Sequence, residues 1–131
     1  MKNKIIYIMG IFVILIASVI LFNKSGVANI GPDKFEALKN SEDVFVINTH
    51  TPYIGEIENT DLVIEDWQNV ALYQNDLPMD KNTKILVYCR SGSMSTSASQ
   101  QLIDLGYKNV YNLEGGINAW QASGKEIYEK R

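Results

Sequence analysis

A single cysteine, Cys89, occurs in the whole chain. One thiol cannot close an intramolecular disulfide, supply the paired thiols of a thiol–disulfide oxidoreductase, or build a cysteine-rich metal site. Histidine is equally scarce: His50 is the only one, and it lies far from Cys89 in sequence. A nucleophilic thiol here must therefore be activated chiefly by its immediate neighbours. Positive charge is missing from Asn40 through Asp80, a stretch with no Lys or Arg and nine acidic residues. That disfavours nucleic acid or an anionic lipid surface as its partner. Charge of either sign is missing from Ile5 to Asn23, nineteen residues that are nearly all apolar. With no polar face, this run does not suit a helix of a soluble domain. There is no internal repeat and no low-complexity tract.

The uncharged run sets the expected organisation. Nineteen residues, at about 1.5 Å each, can cross a hydrocarbon core of about 30 Å. Lys2, Lys4 and the N-terminal amine outweigh Lys24, which keeps the N-terminus in the cytoplasm and sends the remainder outward. Gly26-Val27-Ala28 has small residues at signal-peptidase spacing, but the apolar core exceeds the roughly 7–15 residues of a signal peptide. The expectation is an uncleaved signal anchor over residues 1–24, in the membrane through residues 5–23. The protein would then be a single-pass protein of the cell membrane with its domain on the extracytoplasmic side, where a thiol meets an oxidising environment. No cysteine follows the run closely enough for lipid attachment. Residues 25–31 read as a polar linker and residues 32–131 as one domain. Past the anchor, nine basic and fifteen acidic residues leave a formal charge of −6, a composition that favours solubility over docking of a basic partner.

The domain alternates strands and helices. Pro32 opens a helix to Lys39, with proline at its first position. Val44 to Asn48 reads as a strand, Thr49 to Asp61 as a long loop carrying His50, and Leu62 to Ile64 as a minimal strand. Asp66 to Tyr73 reads as a helix, followed by a loop broken at Pro78. Ile85, Leu86 and Val87 make the run from Lys84 to Tyr88 a buried strand. A helix follows from Ser95 to Leu105, with Ala98, Leu102 and Leu105 on one face and Gly106 at its end. Asn109 to Leu113 is another strand, and Ile117 to Ser123 a last helix stopped by Gly124. The alternation predicts an α/β fold with a mainly parallel sheet.

Cys89 sits at the C-terminal tip of the strand from Lys84, just before a helix N-terminus, a place where ligands bind in open α/β sheets. Arg90 puts a positive charge beside it. Ser91, Gly92 and Ser93 are small enough for the loop to curl with several N–H groups turned inward as an anion nest. The helix N-terminus adds unpaired N–H groups and the positive end of its dipole. Such a loop can hold a thiolate, a persulfide or an oxyanion. A buried inert cysteine would not need these neighbours.

The pattern Val87-Tyr-Cys-Arg-Ser-Gly92, a helix closing at Leu105-Gly106, then Val110-Tyr-Asn-Leu-Glu-Gly-Gly116, Ala119-Trp120 and Gly124 resembles a single-domain rhodanese. Upstream, Pro32-Asp-Lys-Phe35, Val44-Phe-Val-Ile-Asn48 and Gly55-Glu-Ile57 match more weakly. The resemblance implies a small, mainly parallel five-stranded sheet flanked by helices, here preceded by one transmembrane helix. It also implies a sulfurtransferase. Cys89 would take sulfane sulfur from a small donor as a persulfide and pass it to a thiol, cyanide or a protein acceptor in a double displacement. Arg90, Ser91, Gly92, Ser93, Met94 and Ser95 would form the cradle, with no metal or organic cofactor required.

Two departures stand out. Where the family often carries Asp-x-Arg, this chain has Asn48-Thr49-His50, and where the loop often ends in Arg it has Met94. Both remove positive charge, which points away from thiosulfate as donor; His50 could partly replace a charge. Gly115, Gly116 and Trp120 read as determinants of the fold. A cysteine phosphatase or arsenate reductase would place Arg after five intervening residues, to clamp an oxyanion bidentately; Ser95 stands there. A sulfur-carrier or partner-binding module with little free turnover is a further alternative.

Overall fold

The computed structural model describes residues 3–5 and 26–130, and the architecture rests on the second stretch. In chain order it holds β1 (Ala28–Ile30), α1 (Pro32–Lys39), β2 (Val44–Asn48), β3 (Leu62–Val63), a 3₁₀ helix η1 (Val70–Asp76), β4 (Lys84–Tyr88), α2 (Ser93–Asp104), β5 (Asn109–Leu113) and α3 (Gly116–Ala122). All strands are parallel, in the order β1-β5-β4-β2-β3. The expected five-stranded parallel sheet flanked by helices is therefore present.

Helices cover both faces of this sheet, and β4 shows why its sequence is a continuous apolar run rather than an alternating one. Ile85 and Val87 point to one side, where they meet Ala98 and Leu102 of α2 and Val70 of η1. Leu86 and Tyr88 point to the other, against Phe35 of α1 and Ile117 and Trp120 of α3. All four β4 side chains are fully buried, each contributing about 1.5–3 kcal/mol for its removal from water. Phe35 meets the rings of Tyr88 and Trp120 edge-on, at 6.2 and 6.1 Å between centroids.

Tyr88 brings a hydroxyl into this core, and burial raises its pKa. Ile57 N–H donates to that oxygen at 2.9 Å, and the Thr60 hydroxyl lies 2.8 Å from it. The phenol thus anchors the loop after β2 to the strand that ends at Cys89. Tyr88→Phe leaves the Ile57 N–H unpaired, and we expect it to cost about 1–3 kcal/mol. A lower urea midpoint at unchanged slope measures that loss; an unchanged midpoint contradicts it.

Three expectations are corrected. The stretch 25–31 is not all linker: Ala28–Ile30 forms β1, paired with Tyr111–Leu113 of β5, so the ordered domain reaches back to Ala28. The helix expected over Asp66–Tyr73 is instead a 3₁₀ helix beginning at Val70. Local side-chain bonds win there: Asn69 Nδ2 donates to both Asp66 carboxylate oxygens, Asp66 N–H donates to the Tyr73 hydroxyl, and Val70 N–H is taken by Gln101 Oε1. The helix after Cys89 begins at Ser93, not Ser95, because Gly92 at φ +107° turns the chain one residue earlier. The anchor expected over residues 5–23 lies, apart from Ile5, outside the described residues. Among the described residues no helix is long and apolar enough to cross a membrane.

Candidate active site

The C-terminal ends of β2, β4 and β5 meet at one edge of the sheet, where β4 delivers Cys89. The thiol is completely buried. Two donors converge on its sulfur: Gly92 N–H at 3.0 Å and the Ser95 hydroxyl at 3.4 Å. Gly92 makes this possible. Its left-handed φ of +107°, which a side chain resists, folds the loop back so that its N–H returns to the residue three positions earlier. The Ser95 hydroxyl also lies 3.2 Å from Gly92 O. Its one proton can serve the sulfur or that carbonyl, and a negatively charged sulfur is the stronger acceptor. Thr96 Oγ1 donates to the same carbonyl at 2.6 Å.

The other expected cradle residues are placed around this centre. Ser91 and Ser93 are exposed and Met94 is half-buried, all on the loop or the first turn of α2. Arg90 is exposed and makes no ion pair among the described residues. Its guanidinium acts instead on His50. Burial first, and then the Arg90 charge, lower the His50 pKa from 6.5. The imidazole is therefore neutral at pH 7 and does not substitute for a missing arginine there. Asn48 holds this corner: its Oδ1 accepts His50 N–H at 2.9 Å and its Nδ2 donates to Gly55 O at 3.2 Å. Thr49 N–H donates to Tyr88 O at 2.8 Å, joining the end of β2 to the residue before the cysteine.

One set of positioning groups was not identified from sequence. The first amides of α3 grip the loop backbone: Ile117 N–H donates to Cys89 O at 2.8 Å and Asn118 N–H to Arg90 O at 3.0 Å. Gly116, at φ +55°, lies flat against them; a Cβ there would overlap Cys89 O and stand 2.6 Å from Arg90 C and O. The Glu114-Gly115-Gly116 motif was the available signal. A polar cavity of about 350 Å³ flanks the loop on the β5 side, between Ser91–Ser93, Thr96, Asn112 and Glu114.

A buried thiol on such a loop, at the C-terminal edge of a parallel sheet, can be compared with known proteins. The family model of the rhodanese-like domain matches residues 31–123. The chain belongs to the rhodanese-like family. A protein named sulfurtransferase from Allochromatium vinosum is 32% identical over 93 residues, which cover 70% of this chain and 85% of that protein. A tRNA uridine(34) hydroxylase from Cytophaga hutchinsonii is 31% identical over 90 residues; these cover 66% of this chain but only 29% of that longer protein. Among solved structures, a rhodanese-like domain protein from Staphylococcus aureus superposes with a TM-score of 0.62 at 25% identity, covering 78% of this chain and 99% of that one. The rhodanese-like domain and its sulfurtransferase relatives support sulfurtransferase-type function at the level of the family. The hydroxylase shows that rhodanese-like relatives also occur under a different activity.

Proposed function

We propose that this protein is a rhodanese-type sulfurtransferase working through a persulfide on Cys89. The observation that carries the reading is the pair of donors, Gly92 N–H and Ser95 O–H, aimed at one buried sulfur. In the first half-reaction the Cys89 thiolate attacks the sulfane sulfur of a donor. A bond forms from Sγ to that sulfur, and the donor's bond to it breaks with the electron pair leaving on the donor. In the second, a thiolate or cyanide attacks the outer sulfur, the S–S bond breaks, and Cys89 leaves as a thiolate received by the same donors. Arg90, Ser91, Ser93 and Met94 line the approach. Intact-mass measurement tests this: donor-treated protein gains the mass of one sulfur atom and loses it on adding cyanide or dithiothreitol. No gain with any sulfane donor ends the reading.

The complete burial of Cys89 favours a second form of the same chemistry, a carrier that discharges mainly to a protein acceptor. Rapid multiple turnover with cyanide alone would set the carrier form aside. A phosphatase or arsenate reductase is disfavoured because the position where such loops place arginine holds Ser95, which has no charge to clamp an oxyanion.

The donor class follows from charge. Met94 and the neutral His50 leave Arg90 as the cation nearest the thiol in sequence, so less charged persulfide donors are favoured over thiosulfate. Met94→Arg should raise kcat/KM for thiosulfate several-fold by supplying a charge for its sulfonate end. An unchanged or lower value contradicts this account of selectivity.

The membrane anchor over residues 5–23 and an extracytoplasmic domain are part of the proposal, on the strength of the uncharged run and its lysine asymmetry. Ala28 pairs with Tyr111 in the sheet, so signal-peptidase cleavage after Ala28 would cut β1; this favours retention of the segment. Protease added to intact cells, or to spheroplasts if an outer membrane is present, should then digest the domain. Protection until lysis reverses the orientation.

A further inference from the structure

His50 is a titratable group that the persulfide scheme leaves unused. It follows β2 directly; the register pairs Asn48 with Tyr88 and Thr49 N–H donates to Tyr88 O, so the His50 backbone comes next in line where β4 passes into the cysteine loop. Its backbone is fixed by Asn48, and its side chain is more than nine-tenths buried. Nδ1 is buried without any partner, and Nε2 makes no hydrogen bond among the described residues. Most buried polar atoms are paired, so an imidazole whose buried Nδ1 has no partner is unusual.

The groups around it are few. From the β4 side, Arg90 acts on it through its charge. On its own loop, Glu56 is turned to Lys130 at 3.4 Å and to the Tyr53 hydroxyl at 3.3 Å, Glu58 is exposed on the side of Trp120 and Tyr128, and Asp61 accepts Val46 N–H. The first turn of α2 brings no acidic residue. Among the described residues no carboxylate is bonded to the imidazole, and burial together with the Arg90 charge keeps it neutral at pH 7. Because nothing is bonded to Nδ1, nothing fixes the tautomer, and the form with hydrogen on Nδ1 leaves the Nε2 lone pair free.

We propose that His50 Nε2 accepts the proton of an incoming thiol as that thiol attacks the persulfide on Cys89. The inference rests on the persulfide reading above and adds a role within its second half-reaction. The acceptor S–H proton moves to Nε2 and the acceptor sulfur bonds to the outer sulfur of the Cys89–S–SH group. The S–S bond breaks with its electron pair on Sγ, and the outer sulfur leaves with its hydrogen as the acceptor's persulfide. Cys89 is left as a thiolate facing Gly92 and Ser95, and the imidazolium returns its proton to solvent. A base within reach of the reacting proton typically contributes about 10²–10⁴-fold.

The test separates loading from discharge. Full-length protein, wild type and His50→Gln, is loaded with sulfane sulfur, freed of donor, and mixed at pH 7 with either an alkyl thiol or an aromatic thiol already ionised at that pH. We expect His50→Gln to load normally, to discharge to the alkyl thiol about 10²-fold more slowly, and to discharge to the aromatic thiolate within about twofold of wild type. Equal slowing with both acceptors means a structural role, and no slowing means no role; either overturns the proposal. Wild type alone gives a second measure, should the variant not fold. Its discharge to the alkyl thiol should level off above the histidine titration, whereas a rate that keeps climbing about tenfold per pH unit toward the thiol pKa contradicts the proposal. Failure of wild type to load at all would instead count against the persulfide itself.

Discussion

Cys89→Ser should abolish sulfur transfer, to the level of the reaction without protein. A serine oxygen in the same rotamer still accepts hydrogen bonds from Gly92 and Ser95, so the fold and loop should persist. What is lost is the sulfur–sulfur bond, which oxygen cannot form with a donor's sulfane sulfur under these conditions. The variant should show native circular dichroism and an unchanged urea midpoint, no mass gain after donor treatment, and no turnover with cyanide or thiol. The controls matter because Cys89 is buried in the sheet edge, where a packing defect could also silence the protein. If the variant folds and still transfers sulfur, the chemistry belongs to another group, and no second cysteine exists to supply it.

Gly116→Ala should be the most damaging single methyl group in the domain. The added carbon would overlap the Cys89 carbonyl and stand 2.6 Å from the Arg90 carbonyl group, which are backbone atoms that cannot rotate aside. The residue's φ of +55° is also one that a side chain resists. Overpacking costs about 1–3 kcal/mol, and a strained backbone position adds about 1–3 kcal/mol more. We expect a loss of roughly 3 kcal/mol or more from these two sources together, visible as a markedly lower urea midpoint. The activity that survives in the folded fraction should also be low. Relief of the clash pushes α3 away from the loop, breaking the bonds from Ile117 and Asn118 that set the direction of the cysteine. Near wild-type stability and activity would show that the contact is slack.

The same contact shows where sequence reading succeeds and where it stops. Cys89 and its loop were legible because a lone thiol, an arginine and three small residues stand together between an apolar strand and a helix. Gly116 was legible as a turn glycine. Its second role was hidden, because the partners are backbone atoms of Cys89 and Arg90, twenty-seven and twenty-six residues away, and backbone groups carry no letter in the sequence. β1 was missed for a related reason. Ala-Asn-Ile has neither alternation nor β-branched density, and these residues are a strand because Tyr111–Leu113 offer an edge to pair with. The Asp66–Tyr73 stretch had a helical pattern, but the bonds among Asp66, Asn69 and Tyr73 come from particular side-chain geometries that periodicity does not encode. His50 was visible as a departure from the resemblance. Its charge state was not, since that depends on burial and on an arginine forty residues away.

The parallel edge strand β1 also bears on the proposed anchor. With the proposed anchor ending at Asn23, four residues separate it from Ala28, a leash of about 14 Å at most when fully extended. Under that proposal the N-terminal end of β1 would be the part of the domain held nearest the bilayer. Every strand runs the same way, so the edge that carries Cys89 lies at the opposite end of the sheet from the start of β1. If the proposed anchor holds, the domain would stand on a short stem with the cysteine edge at the end away from the attachment point. On the proposed reading, its sulfur partners would then arrive from the aqueous phase rather than from the bilayer surface.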